Sequence, residues 1–433
     1  MTADRIPPAR RAALEAVSKS LNTSTDVQAA LDTQITARRL APRDIGLATE
    51  LTYGYLRLKS RLDALLDHFL RAPGKLPARV RLILGLAAYE LSYLDRVPAY
   101  ASVNWAVDAV KADFGQGLSK MANGVLRSVE RLGADALNPD FFRQGSRDET
   151  GFLSRYYSCP RWIVELWLGE RGREAALALL QAQIVPPAVS LRVNAAKSGA
   201  QALRDELAAK PECLSANGWT LAFAPGSRPV EDSVLIQGLV SRQSAASQLA
   251  LAALEPAGWP TPVWDCCCGR GGKALSLIEK GIAPVWASDV TFARLRQLPV
   301  ESRRLGLPAV STFLARADAP APLAAQPGTV LVDAPCSGLG VLSRRPDSKW
   351  KRSPTDLPGL TALQSGILEH ALAALRPGGR LAYITCTVNR AENEERIEML
   401  LREHSGARLL LSGASPLDWP LGEFFFHALI GRE

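Results

Sequence analysis

The stretch Val263-Trp264-Asp265-Cys266-Cys267-Cys268-Gly269-Arg270-Gly271-Gly272-Lys273 decides the fold. Its apolar first half reads as a buried strand, and its glycines let the backbone turn sharply into a following helix. The pattern repeats downstream. Strands are expected over 284–290, 310–315, 329–333 and 380–387, with helices reaching 305, over 357–375 and over 391–404. Pro377-Gly378-Gly379 stops the helix before the strand at 380, and segments 408–411 and 423–430 close the series. Strand–helix units of this length predict a parallel, doubly wound sheet of the Rossmann-like α/β class.

In such a sheet, ligands bind at the carboxyl ends of the strands, where the strand order reverses. The glycine loop sits at the first such end. Asp289, twenty residues beyond Gly269, closes the second strand, where an acid can accept hydrogen bonds from a ribose. These two features alone fit a dinucleotide and an S-adenosylmethionine (SAM) site equally well, and a tight turn with a solvated acid accounts for them too.

Upstream the pattern changes. Residues 12–21, 42–58, 60–70, 78–94, 103–114 and 118–132 carry apolar side chains at three- and four-residue spacing, which predicts an all-helical domain over 1–135. Asn138-Pro139-Asp140 and Gly145-Ser146-Arg147-Asp148 are turn material. Residues 136–248 then mix types. Helices are expected over 160–168, 174–183 and 200–209, and strands over 189–194, 219–223 and 233–236, giving a linker and a small α+β subdomain. The α/β domain takes 249–433.

The 433 residues, 47% hydrophobic and 22% charged, suit a folded multidomain protein and exclude disorder as the main organisation. Lys plus Arg outnumber Asp plus Glu by 51 to 43, a net charge of +8 that favours a polyanionic partner such as RNA. No apolar run approaches the ~18 residues that span a bilayer, and residues 1–20 hold no signal-peptide core. The seven cysteines are odd in number and contain no CxxC pair, and the four histidines lie far apart. Neither a disulfide scaffold nor a metal site is expected, and the reading is of a reduced, cytoplasmic protein without a membrane partner.

Two further strand ends carry thiols. Asp333-Ala334-Pro335-Cys336-Ser337 closes one strand and Thr385-Cys386-Thr387 the next. A single cysteine there is most simply a small buried apolar residue. Two at adjacent ligand-facing ends, one of them beside Asp333, suggest chemistry. C5 of a pyrimidine attacks the SAM methyl group poorly until a thiolate adds at C6 and makes C5 enamine-like; a base then removes the C5 proton, and elimination frees the thiol. A carboxyl group near N3 stabilises the charge that builds during addition. The target base must leave its stack to reach such a site.

These residues resemble the RsmB (Sun/Fmu) family of bacterial 16S ribosomal RNA cytosine-5 methyltransferases, within the NOL1/NOP2/Sun group. The two cysteine motifs match that group's signatures. Arg344-Arg345-Pro346-Asp347-Ser348-Lys349-Trp350 is similar to its basic substrate-side segment, Arg192-Val193-Asn194 to its RNA-binding strand motif, and residues 1–135 to its NusB-like domain, notably Arg43-Asp44 and 51–65. The resemblance implies Cys386 as nucleophile, Cys336 as an aid to product release and Asp333 as catalytic acid, with Lys273 near Asp333 and the methionine end of SAM. It implies a SAM site of Cys267, Cys268, Gly269, Arg270, Gly271, Gly272, Lys273, Asp289 for the ribose, Asp318 for the adenine, and Asp333. It implies RNA contacts by Arg192, Asn194, Arg344, Arg345 and Lys349, with 16S rRNA or a small-subunit assembly intermediate as partner. The chain departs from the family's pattern at Arg270, where a proline is usual, at Gln243-Ser244 in place of Gln-Asp, and at Gly422-Glu423 in place of Asp-Gly.

Two other classes compete. An NAD-dependent oxidoreductase accounts for the glycine loop and Asp289 but gives no reason for Cys336 and Cys386. A catalytically silent RNA-binding or assembly factor accounts for the helical domain and the charge but not for the intact Asp333, Cys336 and Cys386. The same chemistry on another rRNA or a tRNA cytosine is a third reading.

Overall fold

The computed structural model describes residues 6–433. The chain forms two compact units. One holds the residues up to Val185 together with Leu342–Arg352, and the other holds Pro186–Val341 and Ser353–Glu433.

The first unit is helical. Its long helices are Pro8–Asn22, Val27–Arg38, Pro42–Phe69, Ala78–Tyr93, Ala99–Leu132 and Arg161–Ile184. Pro42 opens its helix where no N–H is needed. Asp26 caps the helix after it, accepting hydrogen bonds from the Gln28 and Ala29 amides. The two helices expected over 42–58 and 60–70 are one helix of 28 residues, because nothing between them breaks the ladder. Those expected over 103–114 and 118–132 run together through a kink at Gly115, whose φ is +82°. The core is built from Leu51, Tyr55, Ile83, Leu84, Trp105 and Leu126. Buried Glu90 is matched by Arg10 at 2.7 and 2.8 Å and by Ser102 at 2.6 Å, so its charge is compensated.

This unit passes the boundary expected at 135. Helix Arg161–Ile184 buries Ile163, Val164, Trp167, Leu179 and Leu180 and groups with the helical unit rather than with an α+β subdomain. Residues 342–352, which the sequence places within the α/β domain, also group with it. Trp350 Nε1 donates to Leu56 O at 2.7 Å, Arg57 to Ser343 O at 3.1 Å, and Lys351 Nζ to Thr25 O at 2.7 Å.

The second unit has two sheets. Strands β1 (Val189–Val193), β2 (Cys213–Asn217), β3 (Thr220–Phe223) and β4 (Val240–Arg242) form an antiparallel sheet in the order β2-β3-β1-β4. The strand expected over 233–236 is instead a helical turn, Asp232–Ile236, and the chain enters the sheet a few residues later as β4. An apolar run of that length does not by itself distinguish the two states.

Strands β5 (Val263–Asp265), β6 (Val285–Asp289), β7 (Ser311–Leu314), β8 (Thr329–Asp333), β9 (Arg380–Thr385), β10 (Ala407–Ala414) and β11 (Phe426–Arg432) form the larger sheet, in the order β10-β11-β9-β8-β5-β6-β7. Its five strands from β9 to β7 are parallel, whereas β11 runs antiparallel to both β9 and β10. The sheet is therefore mixed, not wholly parallel. Residues 415–425 link β10 to β11 without a helix, and a parallel crossover needs a longer connection. Val330, Leu331, Val332 and Leu381 to Ile384 are fully buried, as strands covered on both faces must be. The chain builds outward from β5 to β7 and returns to β8 on the other side. That reversal places the ends of β5, β8 and β9 side by side.

Candidate active site

The glycine loop leaves β5 at Asp265 and enters helix Gly272–Glu279. Gly271 has φ +82°, and a Cβ there would meet Leu298 Cδ1 at 2.5 Å, so only glycine can make the turn. Asp289, at the end of β6, accepts from the Gly269 amide at 3.0 Å through Oδ2 and from the Thr291 amide at 2.8 Å through Oδ1. These bonds fasten the loop over the adjacent strand end. Cys268 is buried, and burial, followed by the Asp265 and Asp289 charges, pushes its thiol well up. The half-buried Cys267 is held up first by its contact with Cys266. Both line the loop as neutral thiols.

Lys273, in the first turn of that helix, is buried and reaches across to β8, its Nζ 2.6 Å from Asp333 Oδ2. The pair holds the Asp333 carboxylate in place at the strand end. Asp265 is fully buried, and neither of its oxygens has a hydrogen-bond partner of good geometry. Burial first, and then the Asp333 charge, pushes it up to about 7, with Lys273 and the Cys267 amide opposing in part.

The two thiols meet. Cys336 Sγ and Cys386 Sγ are 3.1 Å apart, and the Cys386 amide donates to Cys336 Sγ at 3.4 Å. Backbone bonds lock the loops together: Ala334 N donates to Ile384 O at 2.9 Å, and Gly340 N to Cys386 O at 2.9 Å. A Cβ on Gly340 would lie 2.2 Å from Phe424 O, so this approach also requires glycine. The hydrogen bond with Cys386 is the largest influence raising the Cys336 pKa. Burial and the charges of Cys386 and Glu392 add to it.

The structure thus brings Lys273, Asp333, Cys336 and Cys386 to neighbouring strand ends, with the glycine loop and Asp289 beside them. Asp318 stands beyond β7, paired with Arg316 at 3.0 and 2.5 Å, and that partner holds it below the usual carboxylate range. Arg270 is exposed.

Three of the expected RNA contacts need correction. Arg192 is buried and ion-paired with Glu279 at 2.7 Å, and it also donates to Gly272 O at 2.8 Å. Asn194 is buried and donates to Gly238 O and Leu305 O, each at 2.9 Å. Lys349 is fully buried in the helical unit, donating to Arg57 O at 2.9 Å and Gln183 Oε1 at 2.6 Å. These side chains serve the fold, because a buried polar group must find its partner within the protein. Of that set Arg345 is exposed and Arg344 half-buried.

Sequence reasoning missed two acids. Asp265 closes β5 in the deciding stretch itself, so its position was readable. Glu392, in a short turn after β9, had no local signal; only the fold carries it to the thiols.

Comparison with known proteins identifies the family. Residues 251–418 match the family model described as 16S rRNA methyltransferase RsmB/F, and residues 7–131 match the NusB family. The chain is 33% identical over 411 residues to the Bacillus subtilis (strain 168) protein named "Probable ribosomal RNA small subunit methyltransferase B", covering 91% of this chain and 88% of that one. It is 31% identical over 391 residues to ribosomal RNA small subunit methyltransferase B of Vibrio cholerae, covering 88% and 86%.

The chain belongs to the RsmB/F methyltransferase family.

The fold is also that of the solved structure of PH0851, with a TM-score of 0.76 at 23% identity over 98% of this chain and 99% of that one. Within this RsmB/F chain, two departures from the family's pattern touch each other. Ser244 Oγ donates to Glu423 Oε2 at 3.1 Å, and Ser244 also caps helix Ala245–Ala252 through the Ser247 amide. Among the described residues no helix is long and apolar enough to cross a membrane, and no group of three or more His, Cys, Asp or Glu is placed to hold a metal ion.

Proposed function

We propose that this protein methylates C5 of a cytosine in 16S ribosomal RNA, with SAM as methyl donor and a covalent adduct between Cys386 and C6. The observation that carries the reading is the pair of thiols 3.1 Å apart at adjacent strand ends, beside a carboxylate held by a lysine. Uracil or cytosine C5 chemistry needs such a thiol, whereas an NAD site or a silent RNA-binding protein does not. The family match and the NusB match favour 16S rRNA as the substrate.

The residues fit SAM. Bound there, SAM supplies the methyl group and two cationic centres. Asp265 offers a buried carboxyl group whose oxygens lack a hydrogen bond of good geometry, suited to a cationic ligand. Gly269, Gly271 and Gly272 allow close backbone approach, Asp289 lies where ribose hydroxyls are read, and Asp318 lies beyond the next strand for the adenine. Cys267, Cys268 and Arg270 complete the loop.

The chain's own residues act as follows. Cys386, as thiolate, forms the bond to C6, and the electron pair moves toward N3, where Asp333 stabilises it by hydrogen bonding or proton donation. Lys273 fixes Asp333 for that task. Once C5 carries the methyl group, its proton passes to a base and the C6–S bond breaks, returning the electron pair to Cys386. Cys336, in contact with the Cys386 sulfur, assists this release. Arg345 and Arg344 remain candidates for phosphate contact.

The test uses labelled RNA and SAM on a denaturing gel, with 5-methylcytosine mapped in rRNA from a deletion strain. Cys386→Ala should abolish both methyl transfer and the adduct, and Cys336→Ala should let the adduct persist. An adduct with Cys386→Ala but none with Cys336→Ala reverses the two roles. Unchanged 5-methylcytosine in the deletion strain removes the assignment.

A further inference from the structure

Behind the two thiols lies a carboxylate for which the mechanism above has no use. Glu392 is completely buried. Its Oε1 accepts from the Ser337 amide at 2.8 Å and from Gln364 Nε2 at 3.1 Å; its Oε2 accepts from Ser337 Oγ at 2.5 Å and from Asn389 Nδ2 at 2.8 Å. Three of these partners are N–H groups that can only donate, and the Ser337 hydroxyl completes the set, an arrangement that suits a carboxylate. No lysine or arginine is paired with it among the salt bridges of the described residues, so its charge is met by neutral dipoles only. Such a charge acts over a longer range than one neutralised by a close cation.

The position matters as much as the charge. Ser337 follows Cys336 directly, and Ser337 Oγ is also 3.0 Å from Thr387 Oγ1, which follows Cys386. Gln364 Nε2 donates to Pro335 O at 2.9 Å, on the other side of Cys336. Glu392 therefore anchors both residues flanking Cys336 and, through Ser337, the Cys386 loop. Its carboxylate is bonded to the residue next to Cys336, whereas Thr387 intervenes before Cys386. The other ionisable groups at this edge include Cys386 itself, the Lys273–Asp333 pair at the end of β8 and the buried Tyr383, whose hydroxyl donates to Glu392 O at 2.8 Å.

We propose that Glu392 is a positioning residue that selects between the two thiols: its buried negative charge keeps Cys336 as a thiol, so that the thiolate forms on Cys386. Cys336 then donates its S–H to the Cys386 sulfur. It both steadies the thiolate before addition and holds a proton that can pass to the Cys386 sulfur as the C6–S bond breaks. This ordering rests on the methyltransferase reading above and adds to it a physical cause for the roles of two otherwise similar cysteines.

The test reads the thiols directly, without RNA or methyl transfer, so its failure differs from failure of the functional reading. The full-length protein is labelled sub-stoichiometrically with iodoacetamide across a pH series, and the Cys336 and Cys386 peptides are quantified by mass spectrometry. In the unaltered chain Cys386 should be alkylated at lower pH than Cys336. Glu392→Gln should speed labelling of Cys336 about tenfold at fixed pH, equivalent to about one pH unit. Glu392→Asp, which keeps the charge, should restore slow labelling. Ser337→Ala loosens the loop but keeps the charge and should leave the Cys336 rate near that of the parent. Alkylation of Cys336 before Cys386 in the unaltered chain overturns the proposal, and needs no variant to fold. So does an equal rise in Ser337→Ala and Glu392→Gln, which would make Glu392 scaffolding alone, or no rise in Glu392→Gln.

Discussion

Arg192 and Glu279 form a two-pronged ion pair, Nε to Oε2 at 2.7 Å and NH2 to Oε1 at 2.9 Å, with side chains only 3% and 2% exposed. Arg192 comes from β1 of the small sheet and Glu279 from the helix that follows the glycine loop. The arginine also donates to Gly272 O and to Gln243 Oε1, so it fastens the start and the end of that helix. An arginine that resembles an RNA contact in sequence is here a joint within the methyltransferase unit.

Removing one partner of such a pair leaves an uncompensated buried charge. Arg192→Ala should therefore cost about 3–5 kcal/mol of stability, read as a lowered urea midpoint of the full-length chain. Arg192→Leu combined with Glu279→Leu should cost clearly less than either change alone. An Arg192→Ala protein of parental stability but weaker RNA affinity would return this residue to the RNA surface.

Lys349 yields a pH-dependent prediction. Burial, with Arg57 and Arg61 adding to it, lowers its pKa to about 7, while the unfolded chain keeps the ordinary value near 10.5. Above pH 7 the unfolded state binds more protons than the folded one, so this residue makes stability rise with pH. The slope is about 1 kcal/mol per pH unit between pH 7 and 9. Higher pH is less informative, because Cys159, pushed up to about 12 by burial, then contributes in the opposite direction. Lys349→Met should remove this rise while costing a roughly constant ~1–3 kcal/mol for the unpaired Arg57 and Gln183 oxygens. Parallel stability-against-pH curves for the two proteins would mean that Lys349 stays charged in the fold.

Ser244 and Glu423, two of the positions where the sequence departs from the pattern it resembles, are in direct contact. An aspartate at 244 would place a second carboxylate against the buried Glu423, and like charges disfavour each other strongly when desolvated. Ser244→Asp should lower the melting temperature, and Ser244→Asp with Glu423→Gly should recover most of the loss, although aspartate is an equally good helix cap. Additive losses in the double variant would show that the two sites changed independently.

Much of the larger sheet was legible because its central strands β5, β8 and β9 are buried on both faces and bounded by glycine or proline punctuation, after β5 at Gly269–Gly272 and before β9 at Pro377–Gly379. Lys273, Asp333, Cys336 and Cys386 could be placed at one edge of it from strand order alone. Antiparallel β11 was not legible, since its apolar run looks the same in either direction. Residues 342–352 were misread for a related reason: Arg344, Arg345 and Lys349 together signal phosphate contact locally, and only the fold shows Lys349 buried against Gln183. Glu392 illustrates the limit most clearly. Its four donors come from residues 28 to 55 positions away as well as from its neighbour Asn389.

Asp265 carries the last prediction. Burial and the Asp333 charge raise it from 3.8 to about 7 in the folded chain. For an acid with a raised pKa the cost is absent below about pH 4, grows as the pH climbs toward 7 and is constant above, reaching about 4 kcal/mol. Asp265→Asn should therefore become progressively more stable relative to the parent from pH 4 to 7 and then hold a fixed margin. The same carboxyl group reports on the cofactor. A cationic ligand group brought against it would favour the ionised form, so SAM binding near pH 7 should release a proton. Calorimetry in buffers of low and high ionisation enthalpy measures that release. It should disappear in Asp265→Asn, together with a loss of SAM affinity. If the variant still releases the proton, the titrating group lies elsewhere, and Asp265 is then a structural residue of the β5 end rather than the acid that meets the cofactor.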